Sequence, residues 1–189
     1  ALPVAVIAFA ARGYVVGFIN PGGDQLMANI LGVFTVAILF RAIYHIAARG
    51  FYAQQDTKTP LYISIISISL NIILAVWFTF TLELGAQGLA AAQVIVALIE
   101  IILLFYIMNA RISGIFDLSF WSAVGRMFLA AVVTGAVAYL MTMALPLGAE
   151  DTSLFSALPK FTMITAAGLL AYLAACWVLK IKEVYPVLD

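Results

Sequence analysis

Glu100 stands alone in Val94-Ile95-Val96-Ala97-Leu98-Ile99-Glu100-Ile101-Ile102-Leu103-Leu104. An ionised carboxylate in the middle of such a run costs about 2.5 to 3.5 kcal/mol to place in hydrocarbon, so it must face a cavity, a partner or a proton. Two chemistries fit: a cavity-lining or proton-linked acid, and a protonated or paired carboxyl that fixes helix packing. Arg41 and His45 are separated by one helical turn, and two donors so placed can meet one phosphate. The plainer account is an arginine reaching for the headgroups beside an interfacial histidine. Asn71 lies inside another apolar run, where a side-chain amide bonds across helices. Glu100, Arg41, His45 and Asn71 are the candidate substrate or cavity residues.

Covalent chemistry lacks its usual footprints. The sequence has no Gly-x-x-x-x-Gly-Lys-Ser/Thr, no His-Glu-x-x-His and no Gly-x-Ser-x-Gly, so no catalytic residue is assigned and no enzyme activity is expected. His45 is the sole histidine and has no cysteine near it, so no metal site is expected. The single cysteine, Cys176, reads as a small buried hydrophobe. Neither a cofactor nor a nucleic-acid partner is implied.

The elements that must position these residues are membrane spans. Residues 61–82 and 127–147 carry no charge at all, each long enough to cross a hydrocarbon core about 30 Å thick. Of the 189 residues, 66% are hydrophobic and only 10% charged, with a mean hydropathy of +1.15, which excludes an ordinary soluble domain. Six stretches can be drawn: 1–11, 26–47, 61–82, 84–108, 127–147 and 161–179. The first is short, either the end of a cut span or a span completed by residues 13–19, with Asn20-Pro21-Gly22-Gly23-Asp24 as the turn after it. The runs are continuous rather than alternating, so they predict an all-α polytopic membrane protein of about six helices, not a barrel.

Placing the first residue on the cytoplasmic side puts Arg49, Lys58, Arg111, Arg126, Lys180 and Lys182 there, with Arg41 able to reach the same surface. Arg12 and Lys160 remain opposite, and both ends of the chain are then cytoplasmic. Tyr52, Tyr62, Trp77, Tyr106, Trp121, Trp177 and Tyr185 fall mostly near span ends, as interfacial anchors do. The spacings Gly13-x-x-x-Gly17, Ala131-x-x-x-Gly135 and Ala171-x-x-x-Ala175 predict close helix contacts.

The most informative polar segment joins the second and third spans: Arg49-Gly50-Phe51-Tyr52-Ala53-Gln54-Gln55-Asp56-Thr57-Lys58-Thr59-Pro60. Gly50 suits a helix C-cap, and Phe51 and Tyr52 suit packing back at the interface. Asp56 or Thr57 suits the cap of the next helix, and Pro60 its first turn. As a string, Phe51-Tyr52-Ala53-x-x-Asp56-Thr57-Lys58-Thr59-Pro60, followed by Asn71 and by Gly88-Leu89-Ala90, resembles the MurJ (MviN) lipid II flippases of the multidrug/oligosaccharidyl-lipid/polysaccharide exporter superfamily.

The resemblance implies a fourteen-helix transporter of which these are the last six helices. It also implies translocation of an undecaprenyl-pyrophosphate-linked peptidoglycan precursor across the bacterial inner membrane by alternating access. On that mapping residues 1–110 belong to the second transmembrane lobe, and 111–189 form two closing helices that line a possible lipid-tail groove. The partners would be the lipid-linked precursor, membrane lipids and an N-terminal lobe, in the same or a second chain, which carries the cavity arginines. The first residues, Ala1-Leu2-Pro3-Val4, show no initiator Met and no polar approach to their apolar run, so the C-terminal portion of a longer polypeptide is expected. Another exporter of the superfamily, an O-antigen-lipid flippase or a cation-coupled drug exporter, is the alternative within transport. A non-transporting scaffold or remnant is the alternative outside it.

Overall fold

A backbone in hydrocarbon must satisfy its own N–H and C=O groups, and the continuous apolar runs do so as helices. The computed structural model describes residues 1–19, 24–112, 117–146 and 154–179, and among these only helices and their connections occur. In chain order they are α1 (Leu2–Ala10), α2 (Arg12–Ile19), α3 (Gln25–Ala53), α4 (Lys58–Val76) continuing into a π-helical turn (Trp77–Thr81), α5 (Gly85–Arg111), α6 (Leu118–Ala144) and α7 (Leu154–Val178). Among the described residues five of them are long and apolar enough to span a membrane, and α1 with α2, bent by 66°, brings the number to six where the pair counts as one broken span. The protein is a multi-pass membrane protein.

The first apolar stretch is thus continued by residues 12–19, but as a bent pair of helices rather than one straight helix. Ala11 leaves the helical backbone (φ −90°, ψ 14°), and Arg12 sits at the break. Its Nη1 donates to the Phe9 carbonyl at 2.9 Å, and its guanidinium lies 4.7 Å from the Phe9 ring centroid. Arg12 therefore satisfies a carbonyl that the bend frees, a role the sequence alone did not assign to it. Residues 20–23 of the expected turn lie outside the described residues. Asp24, its last member, caps α3 by accepting from the Leu26 N–H at 2.8 Å.

The chain divides into two compact units, Ala1–Ala28 with Phe116–Asp189, and Asn29–Ile115. Packing therefore groups the bent α1–α2 pair with the last two helices. In the first unit, Ile7, Ala11, Tyr14, Ala138 and Ile164 form a buried cluster. Close approach is set by small residues: a Cβ on Gly135 would lie 3.0 Å from Val6 Cγ1, and one on Gly168 only 2.8 Å from Ile7 Cγ1. The expected close contact is therefore present at Gly135. At Gly13 it is not, because nothing lies within 4 Å of its Cβ direction.

In the second unit, short connections keep α3, α4 and α5 as successive neighbours. Their core is Tyr44, Ala47, Ala48, Phe51, Ile63, Ile101 and Leu104. Gly50 does not end α3, which runs on to Ala53. The left-handed residue that terminates the helix is Gln55, at φ 60°. Gly50 faces α5 instead, where its Cβ direction meets Met108 Sδ at 3.4 Å. The next turn is closed by Glu83 (φ 53°) and Gly85 (φ 54°). There Gly88 lies against the main chain of the π-helical turn, and a Cβ on it would be 2.9 Å from the Phe78 carbonyl carbon.

Candidate functional site

The loop motif is built as a clamp. The two oxygens of Asp56 divide their work: Oδ1 accepts from the N–H groups of Lys58 and Thr59, each at 3.0 Å, and Oδ2 accepts from Thr59 Oγ1 at 2.6 Å. Arg111, the last residue of α5, adds an ion pair to Oδ2, a hydrogen bond from Nη2 to Thr59 Oγ1 at 2.9 Å and a face-on contact with the Phe51 ring at 5.5 Å. The hydrogen bonds from Thr59, then the Arg111 guanidinium, hold the Asp56 carboxyl well below the usual carboxylate range. Asp56 is thus the cap of α4, while Thr57 makes no side-chain cap bond. Phe51 and Pro60 are fully buried, and Tyr52 stays exposed. Thr57 and Lys58 are exposed as well.

About three helical turns back along α5 from Arg111, Glu100 is 1% exposed. Arg41 Nη1 donates to its Oε2 at 3.0 Å, and Ser64 Oγ donates to its Oε1 at 3.2 Å. Ser64 in turn lies 2.9 Å from the Tyr44 hydroxyl. Because the Ser64 proton is committed to Glu100, Tyr44 is the donor in that second bond. Three helices therefore converge on one carboxylate: α3 through Arg41 and Tyr44, α4 through Ser64, and α5 through Glu100 itself. Burying a charge costs more than an isolated contact returns unless its other atoms are also bonded, and each oxygen of the sealed carboxylate has a partner, Arg41 on one and Ser64 on the other.

Arg41 does not simply reach for headgroups, since its guanidinium is paired to Glu100 with the side chain 43% exposed. His45 is exposed and lies edge-on to the Tyr44 ring, with centroids 5.5 Å apart. Asn71 is brought to Gln93 of α5, its Nδ2 donating to Gln93 Oε1 at 2.7 Å. Glu100 and Arg41 are thus joined directly, with His45 beside them on α3, and Asn71 belongs to a separate contact further along the same helix pair.

Sequence reasoning passed over Ser64, Ser67, Tyr44 and Gln93. A signal was present: Ser64, Ser67 and Asn71 fall at i, i+3 and i+7, one stripe of α4. Ser67 Oγ is buried without a hydrogen-bond partner, midway along that stripe. Tyr44, Tyr52, Thr57, Pro60, Leu61 and Ser64 line a cleft of about 510 Å³ between α3 and α4, so the Tyr44 and Ser64 hydroxyls connect the buried carboxylate with an open hollow. Among the described residues no group of three metal-ligating side chains comes together.

Residues 16–158, which include the clamp and the Glu100 cluster, match the protein family described as "Lipid II flippase MurJ". This chain belongs to that family. The MurJ relatives include the probable lipid II flippase MurJ of Rhizobium meliloti, 27% identical over 80% of this chain and 28% of its own length. The probable lipid II flippase MurJ of Vibrio cholerae is 28% identical over 88% of this chain and 31% of its own length. Outside proteins of that name, Protein DETOXIFICATION 43 of Arabidopsis thaliana is 30% identical over 70% of this chain and 25% of its own length. The chain therefore spans under a third of the length of these relatives.

Proposed function

We propose that this chain is the C-terminal part of a lipid II flippase. It works in the bacterial inner membrane with both ends of the segment cytoplasmic, and makes or breaks no covalent bond. The observation that carries the reading is the family match across residues 16–158. It spans the loop whose Asp56, Thr59 and Arg111 tie α3, α4 and α5 together. In this reading residues 1–110 are part of one transmembrane lobe, α6 and α7 line a groove for the lipid tail, and an N-terminal lobe supplies the arginines that grip the pyrophosphate. Arg41, His45, Glu100 and Asn71 contribute polar groups to the second lobe.

The chemistry of the cargo supplies a driving force. Moving about two negative charges outward across an inside-negative membrane gains roughly 2.3 kcal/mol per charge per 100 mV. Alternating access between two leaflets then needs no nucleotide. The test is replacement of the resident flippase in a depleted strain by the full-length protein that contains this chain, scored by lipid II accessible from outside. Restored accessibility and cell-wall growth support the reading. Full-length protein that reaches the membrane yet leaves lipid II inaccessible overturns it. In reconstituted vesicles the flipping rate is expected to rise with a valinomycin-imposed inside-negative potential, and indifference to that potential removes the driving force proposed here. Export of another lipid or a drug is the second reading, favoured only by the Arabidopsis relative, and it would emerge as transport of that cargo without lipid II.

A further inference from the structure

Glu100 and Arg41 are unequal partners. The carboxylate is 1% exposed and the arginine side chain 43%, so one member of the pair is sealed while the other has room for a second ligand. Among the described residues Arg41 makes no hydrogen bond other than the one to Glu100, which leaves most of its five N–H groups unused. The hydroxyls of Tyr44 and Ser64 form a directed chain, each donating toward the carboxylate, and both line the cleft. The other groups within reach of Glu100 are few. On α3 they are Arg41, Tyr44 and His45, the last edge-on to the Tyr44 ring. α4 brings Ser64, its one charged residue, Lys58, standing at the start of the helix. On α5 the other charge, Arg111, stands at the far end and is occupied with Asp56.

We propose that Glu100 is a proton-exchange site that releases Arg41 to an anionic phosphate or diphosphate group, so that anion uptake and proton uptake occur together. The step balances simply. A hydronium ion from the solvent gives a proton to the Tyr44 oxygen and leaves water behind, Tyr44 passes its own proton to Ser64, and Ser64 passes its own to Oε1. A neutral carboxylic acid remains on Glu100 and an unpaired guanidinium on Arg41. A lone cation at that depth is expensive, so protonation alone is disfavoured. An anion arriving at the open side of Arg41 restores neutrality and makes the protonated state the stable one. Each ligand then raises affinity for the other by the same factor. The diphosphate identity rests on the flippase reading; the anion-linked proton does not.

Full-length protein in detergent, in weakly buffered solution with an indicator dye, is mixed with geranyl diphosphate and separately with short-chain phosphatidylglycerol. Proton uptake on binding, lost in Glu100→Gln, is the expected result, with affinity rising as pH falls in the wild type and following only the probe's own titration in the variant. Tyr44→Phe, which keeps the ring in its core, is expected to reach the same extent of uptake more slowly. Response to the diphosphate alone ties the device to cargo, whereas response to phosphatidylglycerol alone ties it to ordinary headgroups; both keep the proton linkage. Binding without proton uptake overturns the proposal. So does uptake that persists in Glu100→Gln and is lost in His45→Gln, which assigns the proton to the imidazole. A protein that shows linked uptake but does not flip lipid II refutes the cargo reading and leaves this one standing.

Discussion

Two ways of holding helices together in lipid sit side by side in one chain. Unit Asn29–Ile115 is fastened by polar groups: Arg41 with Glu100, Ser64 with Glu100, Asn71 with Gln93, and Asp56 with Thr59 and Arg111. The unit of α1, α2, α6 and α7 is fastened largely by shape, through Gly135 against Val6 and Gly168 against Ile7, with polar contacts from Tyr14 and Lys160 to the Leu145 and Pro146 carbonyls at the end of α6. Its buried Thr134 spends its hydroxyl on its own helix, at the Ala130 carbonyl. Between helices already surrounded by hydrocarbon there is little hydrophobic gain to collect, so close packing or hydrogen bonding must do the work. Close packing has one arrangement. A bonded pair has two, made and unmade, and only the second kind can be switched by a ligand or a proton.

The contrast breaks most visibly at Arg41. Arg41→Leu leaves a sealed carboxylate without its partner and is expected to cost about 3 kcal/mol, the low end for a broken buried pair because the arginine is half exposed. Arg41→Leu with Glu100→Leu should regain most of that loss, measured as the midpoint of unfolding in a denaturing detergent titration. A double variant as weak as the single one would show that the pair is not a unit. Next come the glycines. Gly88→Ala drives a methyl into the main chain at Phe78, which cannot step aside, and should cost about 1–3 kcal/mol. Gly168→Ala meets side-chain atoms of Ile7 rather than main chain, the nearest being Cγ1 at 2.8 Å, and should cost less in the same titration. The reverse order would mean that the shape-fastened unit is the more rigid one.

The smallest effect near neutral pH is that of Asp56. Its folded carboxyl titrates below the ordinary value, so it binds its proton more weakly folded than unfolded. Its stabilisation is therefore fully present above about pH 4, the unperturbed range, and is lost as pH falls further. Hydrogen exchange at the Lys58 and Thr59 amides should accelerate in that acid window relative to neighbouring helix, and Asp56→Asn should remove the pH dependence.

What the sequence disclosed follows from what is local. Helix placement was legible because an uncharged run of membrane-spanning length has one economical fold, and α4 and α5 begin and end within a few residues of the expected bounds. The Asp56 cap was legible because its partners are two and three residues away. The pairing of Arg41 with Glu100 was not, because those residues lie 59 apart and no spacing rule reaches across helices. Gly50 misled for the same reason: it reads as a stop signal along the chain, whereas its neighbour is Met108 of another helix. The bend at Ala11 carries neither Pro nor Gly at its apex, so nothing local announced it.

The π-helical turn at Trp77–Thr81 also changes how positions must be counted. A wider coil accommodates an added residue, and each residue in a regular helix turns the chain by about 100°. A wheel drawn from Ser64 through Asn71 therefore loses its alignment beyond Val76. Deleting one residue there would tighten the coil and swing the 82–84 connection around the axis, pulling the Phe78 backbone out of the notch that Gly88 leaves for it.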